Sequence, residues 1–372
     1  MLRSSRLSPG CSQSPPQPAG QDIPGTAPAQ AFEVTESDGE ALILVGGSRG
    51  VGSRWLDGRP GPLHLAAATG PGWVSALLLL EGPTQPTLVT AGYGHIRSWQ
   101  LSGHAAGLAI HGAHNGWITN LRDYQTASER LLLSGGEDGA IKSWHLDGRE
   151  GPVAVRDAHL GGVRALITLS DAAGQPVFVS GGPDGQLRFA SGEYVASVEA
   201  HHGAVTALAV RFTESGPGVI SGGDDGRVLA WSPEGDLVEE VPPLRSRAPV
   251  RSLAVTPDGV VLAGHEDGSL GLPPLGTAPS GDLMRAADNG RPLAPGPVTG
   301  VQAALIGGKL IVFSCSADGP VHVWSQSRQP LETVKEWSGI SIWETLEHSC
   351  AANPGSQLVP RESVPVCAAL AP

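Results

Sequence analysis

Cysteine is scarce. Four thiols occur in 372 residues, Cys11, Cys315, Cys350 and Cys367, and none forms a Cys-x-x-Cys pair. That pattern gives no support to a zinc ribbon, a dithiol redox site or a disulfide framework, and it suits inert thiols in a reducing compartment, so a cytoplasmic protein is expected. Only Cys350 and Cys367 stand where they could pair, and nothing in their context demands it. Long apolar runs are also missing. The longest, VSALLLL at 74–80, falls well short of the roughly 18 residues of a membrane-crossing helix and reads as a buried strand. Lysine appears at three positions, 142, 309 and 335, among 24 basic residues, against 36 acidic ones. A net charge of −12 disfavours nucleic acid, whose binding depends on neutralising phosphates. Neither nucleic acid nor membrane is therefore expected as a partner. The acid excess is spread over turns, as on an ordinary solvated surface. Catalytic fingerprints are equally thin. GGSRGVG at 46–52 looks superficially like a phosphate loop, and its first five residues spell Gly-x-Ser-x-Gly. Both devices need a following helix, and no helical pattern follows. No catalytic residue, cofactor or metal is assigned.

Glycine and proline, by contrast, are abundant, at 52 and 32 residues. The stretch LLLSGGEDGAIKSW (131–144) joins an apolar run to Asp-Gly, a strong hairpin turn, and then to the β-formers Ile141 and Trp144. Nearly the same phrase returns as VISGGDDGRVLAW (219–231). Indexed on the turn, the copies fall at Arg49-Gly50, Tyr93-Gly94, Asp138-Gly139, Asp184-Gly185, Asp225-Gly226, Asp267-Gly268 and Asp318-Gly319. The steps between them are 44, 45, 46, 41, 42 and 51 residues, the last lengthened by 273–296. A period near 40–45 residues with several strand signals per unit indicates a circular repeat of small antiparallel sheets. The third copy predicts strands near 117–123, 130–135, 140–146 and 152–156. The fifth predicts them near 204–211, 217–222, 227–231 and 235–241.

These units resemble the WD-repeat β-propeller family. Its signature of a loop His, then Ser-Gly-x-Asp-Gly, then Trp is carried by His114, Ser134, Asp138 and Trp144, and again by His201, Ser221, Asp225 and Trp231. The resemblance implies a buried hydrogen-bonded network joining these four side chains. The fourth copy keeps His159, Ser180 and Asp184 but has Ala190 at the Trp place. The sixth has Ser246, Ala263 and Pro273 at the His, Ser and Trp places, and the first two keep Trp55 and Trp99 without the turn Asp. So two blades should carry the full network, and the rest should rely more on packing. Because the Ser–His–Asp constellation recurs blade by blade, it reads as structural rather than as a catalytic triad.

The expected fold is all-β, a seven-bladed propeller of four-stranded antiparallel blades over 30–337. A Pro/Ser/Gly-rich disordered tail (1–29) precedes it and a C-terminal tail (338–372) follows it. Ile340 to Leu346 could pair with the first blade or dock as a tail. The resemblance implies a non-catalytic scaffold, a monomeric propeller within a complex, holding a protein or peptide on one face. The positions bordering the turns on that face are Trp73, Tyr93, Trp117, Glu137, Asp224 and Glu266. The three acids would make the face negative, and a basic or mixed partner follows. The rival is a propeller enzyme or a small-ligand or metal binder at the central channel mouth, which requires several of Glu137, Asp224, Glu266, His95 and His265 to converge. A further alternative is a regulatory or sensor module of a larger assembly.

Overall fold

The computed structural model describes residues 29–37, 40–48, 50–56, 59–66, 72–82, 86–147, 149, 151–171, 173–192, 194–213, 216–241, 246–271, 296–316 and 321–325. The expected tails, apart from Ala29, lie outside them, including the segment 340–346, as does nearly all of 273–296. Among the described residues the strands form seven antiparallel sheets, each built from consecutive strands. Five have four strands, and two, Val250–Gly271 and Val298–Ser325, have three. The third sheet runs Ile118–Gln125, Arg130–Gly136, Ala140–His145 and Ala154–Asp157. The fifth runs Val205–Thr213, Gly216–Gly223, Val228–Trp231 and Leu237–Glu240. Both sets fall within a few residues of the sequence expectation.

The turn chemistry behaves as its residues require. Gly139, Gly185, Gly226 and Gly268 all have positive φ, between 73° and 79°, a conformation that favours glycine. The two glycines before the turn have a different purpose, which is space. A Cβ on Gly135, Gly181, Gly222 or Gly264 would lie 2.4–2.8 Å from a valine side-chain atom of the next sheet, Val163, Val205, Val250 or Val298. Each missing side chain admits the neighbouring inner strand.

Those inner strands stand side by side around an axis, each against the next, and Val298–Ile306 returns to pack on Ala29–Ser37. The first and last sheets share one apolar cluster, with Ile43 and Val45 against Ile311 and Phe313, and Phe32 packed onto it. Hydroxyls stitch other neighbours together. Ser75 Oγ donates to Ile118 O at 2.6 Å, Thr119 Oγ1 to Val163 O at 2.6 Å and Ser252 Oγ to Val298 O at 2.8 Å. The result is an all-β propeller of four-stranded antiparallel blades, with the apolar core lying between blades and a channel on the axis.

Candidate functional site

The recurring network forms as the resemblance implied. In the third blade Trp144 Nε1 donates to Ser134 Oγ at 2.8 Å. Ser134 Oγ lies 2.7 Å from His114 Nε2, and His114 Nδ1 lies 2.8 Å from Asp138 Oδ1. The Asp138 carboxylate also accepts the backbone N–H of Asn115 and of Ala140. The fifth blade repeats this with 2.9 Å for each side-chain step from Trp231 to Ser221, His201 and Asp225. Burial pulls the His114, His159 and His201 pKa values down, against the opposing pull of Asp138, Asp184 and Asp225. The imidazoles are therefore neutral, which fixes the direction of the chain: Trp N–H to Ser oxygen, Ser O–H to Nε2, Nδ1–H to carboxylate. In these two blades the Trp, Ser and His polar atoms are all used, and the pattern recurs in other blades, so the arrangement ties loop to turn.

The fourth blade keeps the three network residues expected of it, and the second and sixth keep more than the sequence suggested. In the fourth, Ser180 Oγ and Asp184 hold His159 at 2.9 Å each, without an indole. In the second, Trp99 Nε1 donates to Thr90 Oγ1 at 2.9 Å, a hydroxyl standing in for serine. In the sixth, Ser246 Oγ donates to Asp267 Oδ2 at 2.9 Å. There the imidazole enters from the other side. A Cβ on Gly136, Gly182 or Gly223 would lie 2.4–2.5 Å from the His114, His159 or His201 ring. His265 occupies the equivalent place in the sixth blade, is buried, and lies with Nδ1 2.9 Å from Ala248 O. Gly and His are thus exchanged for His and Ser, two changes at separate positions that compensate only in space.

On the turn-bearing face, three of the expected residues meet. Trp73 and Trp117 stack at a tilt with ring centroids 5.6 Å apart, and Tyr93 meets Trp117 edge-on at 5.5 Å. Trp73 and Tyr93 are each 59% exposed. Short backbone bonds hold this patch: Gly94 N–H to Gly116 O at 3.0 Å and Ile118 N–H to Gly92 O at 3.2 Å. Glu137 adjoins it, donating its N–H to Trp117 O at 2.9 Å while its carboxylate accepts the Trp117 N–H. Leu160, missed from the sequence, is 87% exposed on the loop after His159.

The expected negative field is corrected by Arg251. Its Nη1 donates to Asp224 Oδ1 at 2.7 Å, and its Nε donates to Glu266 Oε2. Burial would lower the Arg251 pKa, but the two carboxylates outweigh it and hold the guanidinium above its usual value. Two of the three acids are thus paired, and only Glu137 stands beside the aromatics. Convergence at the channel is not seen either: none of Glu137, Asp224, Glu266, His95 and His265 lines it. His95 instead meets His111, with Nδ1 atoms 3.2 Å apart, on neighbouring strands of the second sheet. Among the described residues no three His, Cys, Asp or Glu side chains are grouped to hold a metal ion, and no helix is long and apolar enough to cross a membrane.

Residues 107–145 and 192–236 match the family model described as WD domain, G-beta repeat. Solved structures of similar fold include a chain of the structure titled "Crystal Structure of Mitotic Checkpoint Complex". It has a TM-score of 0.58 at 17% identity and covers 86% of this chain and 98% of that one. The WD40 β-propeller domain of Doa1 superposes with a TM-score of 0.59 at 18% identity, covering 81% of this chain and 94% of that one. No curated protein matches the sequence. At these identities the structural likeness speaks for the fold alone: the chain has a β-propeller fold, and two of its segments match the WD repeat model.

Proposed function

We propose that the chain is a non-catalytic interaction scaffold, a ring of seven four-stranded blades that holds a partner protein or peptide on its turn-bearing face. The observation that carries this is the Trp73, Tyr93 and Trp117 cluster. Large aromatics that touch one another yet stay open to water, on a rigid frame, have the character of binding anchors. Leu160 is a further exposed apolar side chain, Glu137 borders the cluster, and the Asp224–Arg251–Glu266 group adds both signs of charge. The partner is accordingly one with apolar anchors and a mixed-charge rim. The mitotic checkpoint complex among the similar structures is an assembly that includes a chain of this fold, which agrees with a scaffolding role. A cytoplasmic setting belongs to this reading on the sparse cysteines of the sequence alone.

The test is affinity capture from native lysate with the intact chain beside a Trp73→Ala, Tyr93→Ala, Trp117→Ala variant whose circular dichroism is unchanged. The expected result is a partner identified with the intact chain and lost with the variant. Equal capture by both overturns the assignment of the face. Capture by neither turns the choice toward a small-ligand binder.

A further inference from the structure

The axial channel carries charge that the interaction face does not use. It is a cavity of about 510 Å³ lined by the inner strands of all seven sheets, within the size range of small-molecule sites. Its lining runs from Ser75, Thr119 and Thr206, next to the turn-bearing loops, down to Glu33, Arg122 and Gln302. These last three stand at one level, opposite Leu44, Leu133 and Phe313 of their second strands.

Their hydrogen bonding is incomplete. Arg122 Nη1 donates to Leu121 O at 2.7 Å, and the other guanidinium N–H groups have no acceptor among the described residues. Among the described residues Glu33 accepts only a long bond, 3.4 Å, from Gln302 Nε2, and Gln302 Oε1 is buried without a partner. Burial raises the Glu33 pKa against the opposing pull of Arg122, and burial lowers that of Arg122 against the pull of Glu33. The two charges feel each other inside the ring, yet no ion pair joins them. Both charged side chains are half-buried and face the channel, where a group of matching chemistry can take up their free hydrogen-bonding positions.

That group must offer acceptor oxygens to Arg122 and donor hydrogens to Glu33 and Gln302 Oε1. A carboxylate alone answers only the first, and an ammonium alone only the second. One small molecule with both on a single carbon answers each, and Leu77, Leu78, Leu121 and Leu166 are among the residues that line the cavity. We infer that the channel floor binds the zwitterionic head of a free apolar α-amino acid, with its carboxylate on Arg122 and its ammonium between Glu33 and Gln302. A peptide terminus brings only one of the two groups, so this site is separate from the partner face.

The experiment is isothermal titration calorimetry on the purified full chain, with no partner present. The probes are L-leucine, N-acetyl-L-leucine and L-leucine methyl ester. L-leucine is expected to bind, with each blocked derivative weakened by about tenfold or more, as loss of one charged hydrogen-bonded group implies. Arg122→Gln should abolish binding, and the isosteric Glu33→Gln should weaken it about tenfold. Absence of L-leucine binding overturns the proposal, and so does equal binding of either blocked derivative. If Arg122→Gln fails to fold, Glu33→Gln decides, since unchanged affinity in that variant is also fatal to it.

Discussion

Ser134 and Ser180 occupy the same place in their blades but hold different numbers of partners. Ser134 Oγ serves both the Trp144 indole and the His114 ring, whereas Ser180 Oγ serves His159 with no indole opposite. Ser134→Ala therefore strands two buried groups and Ser180→Ala one, at about 1–3 kcal/mol each. Urea denaturation should show the first variant losing about 3 kcal/mol and the second about half that; equal losses would mean that the indole bond contributes nothing. The same network sets an acid limit. His114, His159 and His201 have pKa values lowered by burial, with the aspartates opposing. The unfolded chain then takes up protons first as pH falls, so their stability is present above about pH 6.5 and lost below it. For Asp138 and Asp225 burial alone would raise the pKa, but bonds from His114 or His201 and from backbone N–H groups outweigh it and lower the value. Their share is lost only further down, below about pH 4. The melting temperature should fall between about pH 7.5 and 5.5, with a second loss in stronger acid. A flat profile over the first interval would contradict the neutral, buried imidazoles.

Within each blade, the Ser-Gly-Gly-x-Asp-Gly phrase divides its labour. The first glycine makes room for a valine of the next blade, the second for the histidine ring of its own blade, and the last takes the turn. The turn and the strand lengths were legible because they depend on local backbone preference and alternate burial. The serine–histidine–aspartate spacing was legible because it repeats. The sixth blade was not, because its Ser246 and His265 compensate in space rather than at matched positions. Thr90 under Trp99 was hidden only by looking for serine where any hydroxyl serves. The division makes a cycle of predictions. Gly223→Ala places a Cβ about 2.5 Å from the His201 ring and should cost about 1–3 kcal/mol. Ser246→His alone puts a second imidazole where His265 already lies and should cost a similar amount, whereas adding His265→Gly to it should recover most of the loss. Thermal melts of the single and double variants read this directly; a double variant no better than the sum of its parts would refute the exchange.

Across the whole ring, the period in the sequence reveals that sheets follow one another but not how the last meets the first, nor that Arg251 would pair two acids from adjacent blades. Both facts depend on which side chains come together after closure. At the seam the usual glycine–valine contact is replaced. Cys315 stands at the first-glycine place, and the free space has moved to Gly300, where a Cβ would lie 2.4 Å from the Phe32 ring. Phe32 reaches from the first sheet into the cluster shared with Ile311 and Phe313 of the last. In a closed ring each blade is covered on two sides, so loosening one seam exposes two inner faces and weakens every blade's support. Phe32→Ala should then cost about 2–4 kcal/mol, less than a fully buried phenylalanine because the ring is only half-buried, while denaturation stays a single cooperative step. Phe212→Ala, removing a ring that is 76% exposed, should change stability by no more than about 0.5 kcal/mol. If the two variants unfold alike, or if Phe32→Ala splits the transition in two, the first and last sheets are not coupled through this ring and closure rests on other contacts.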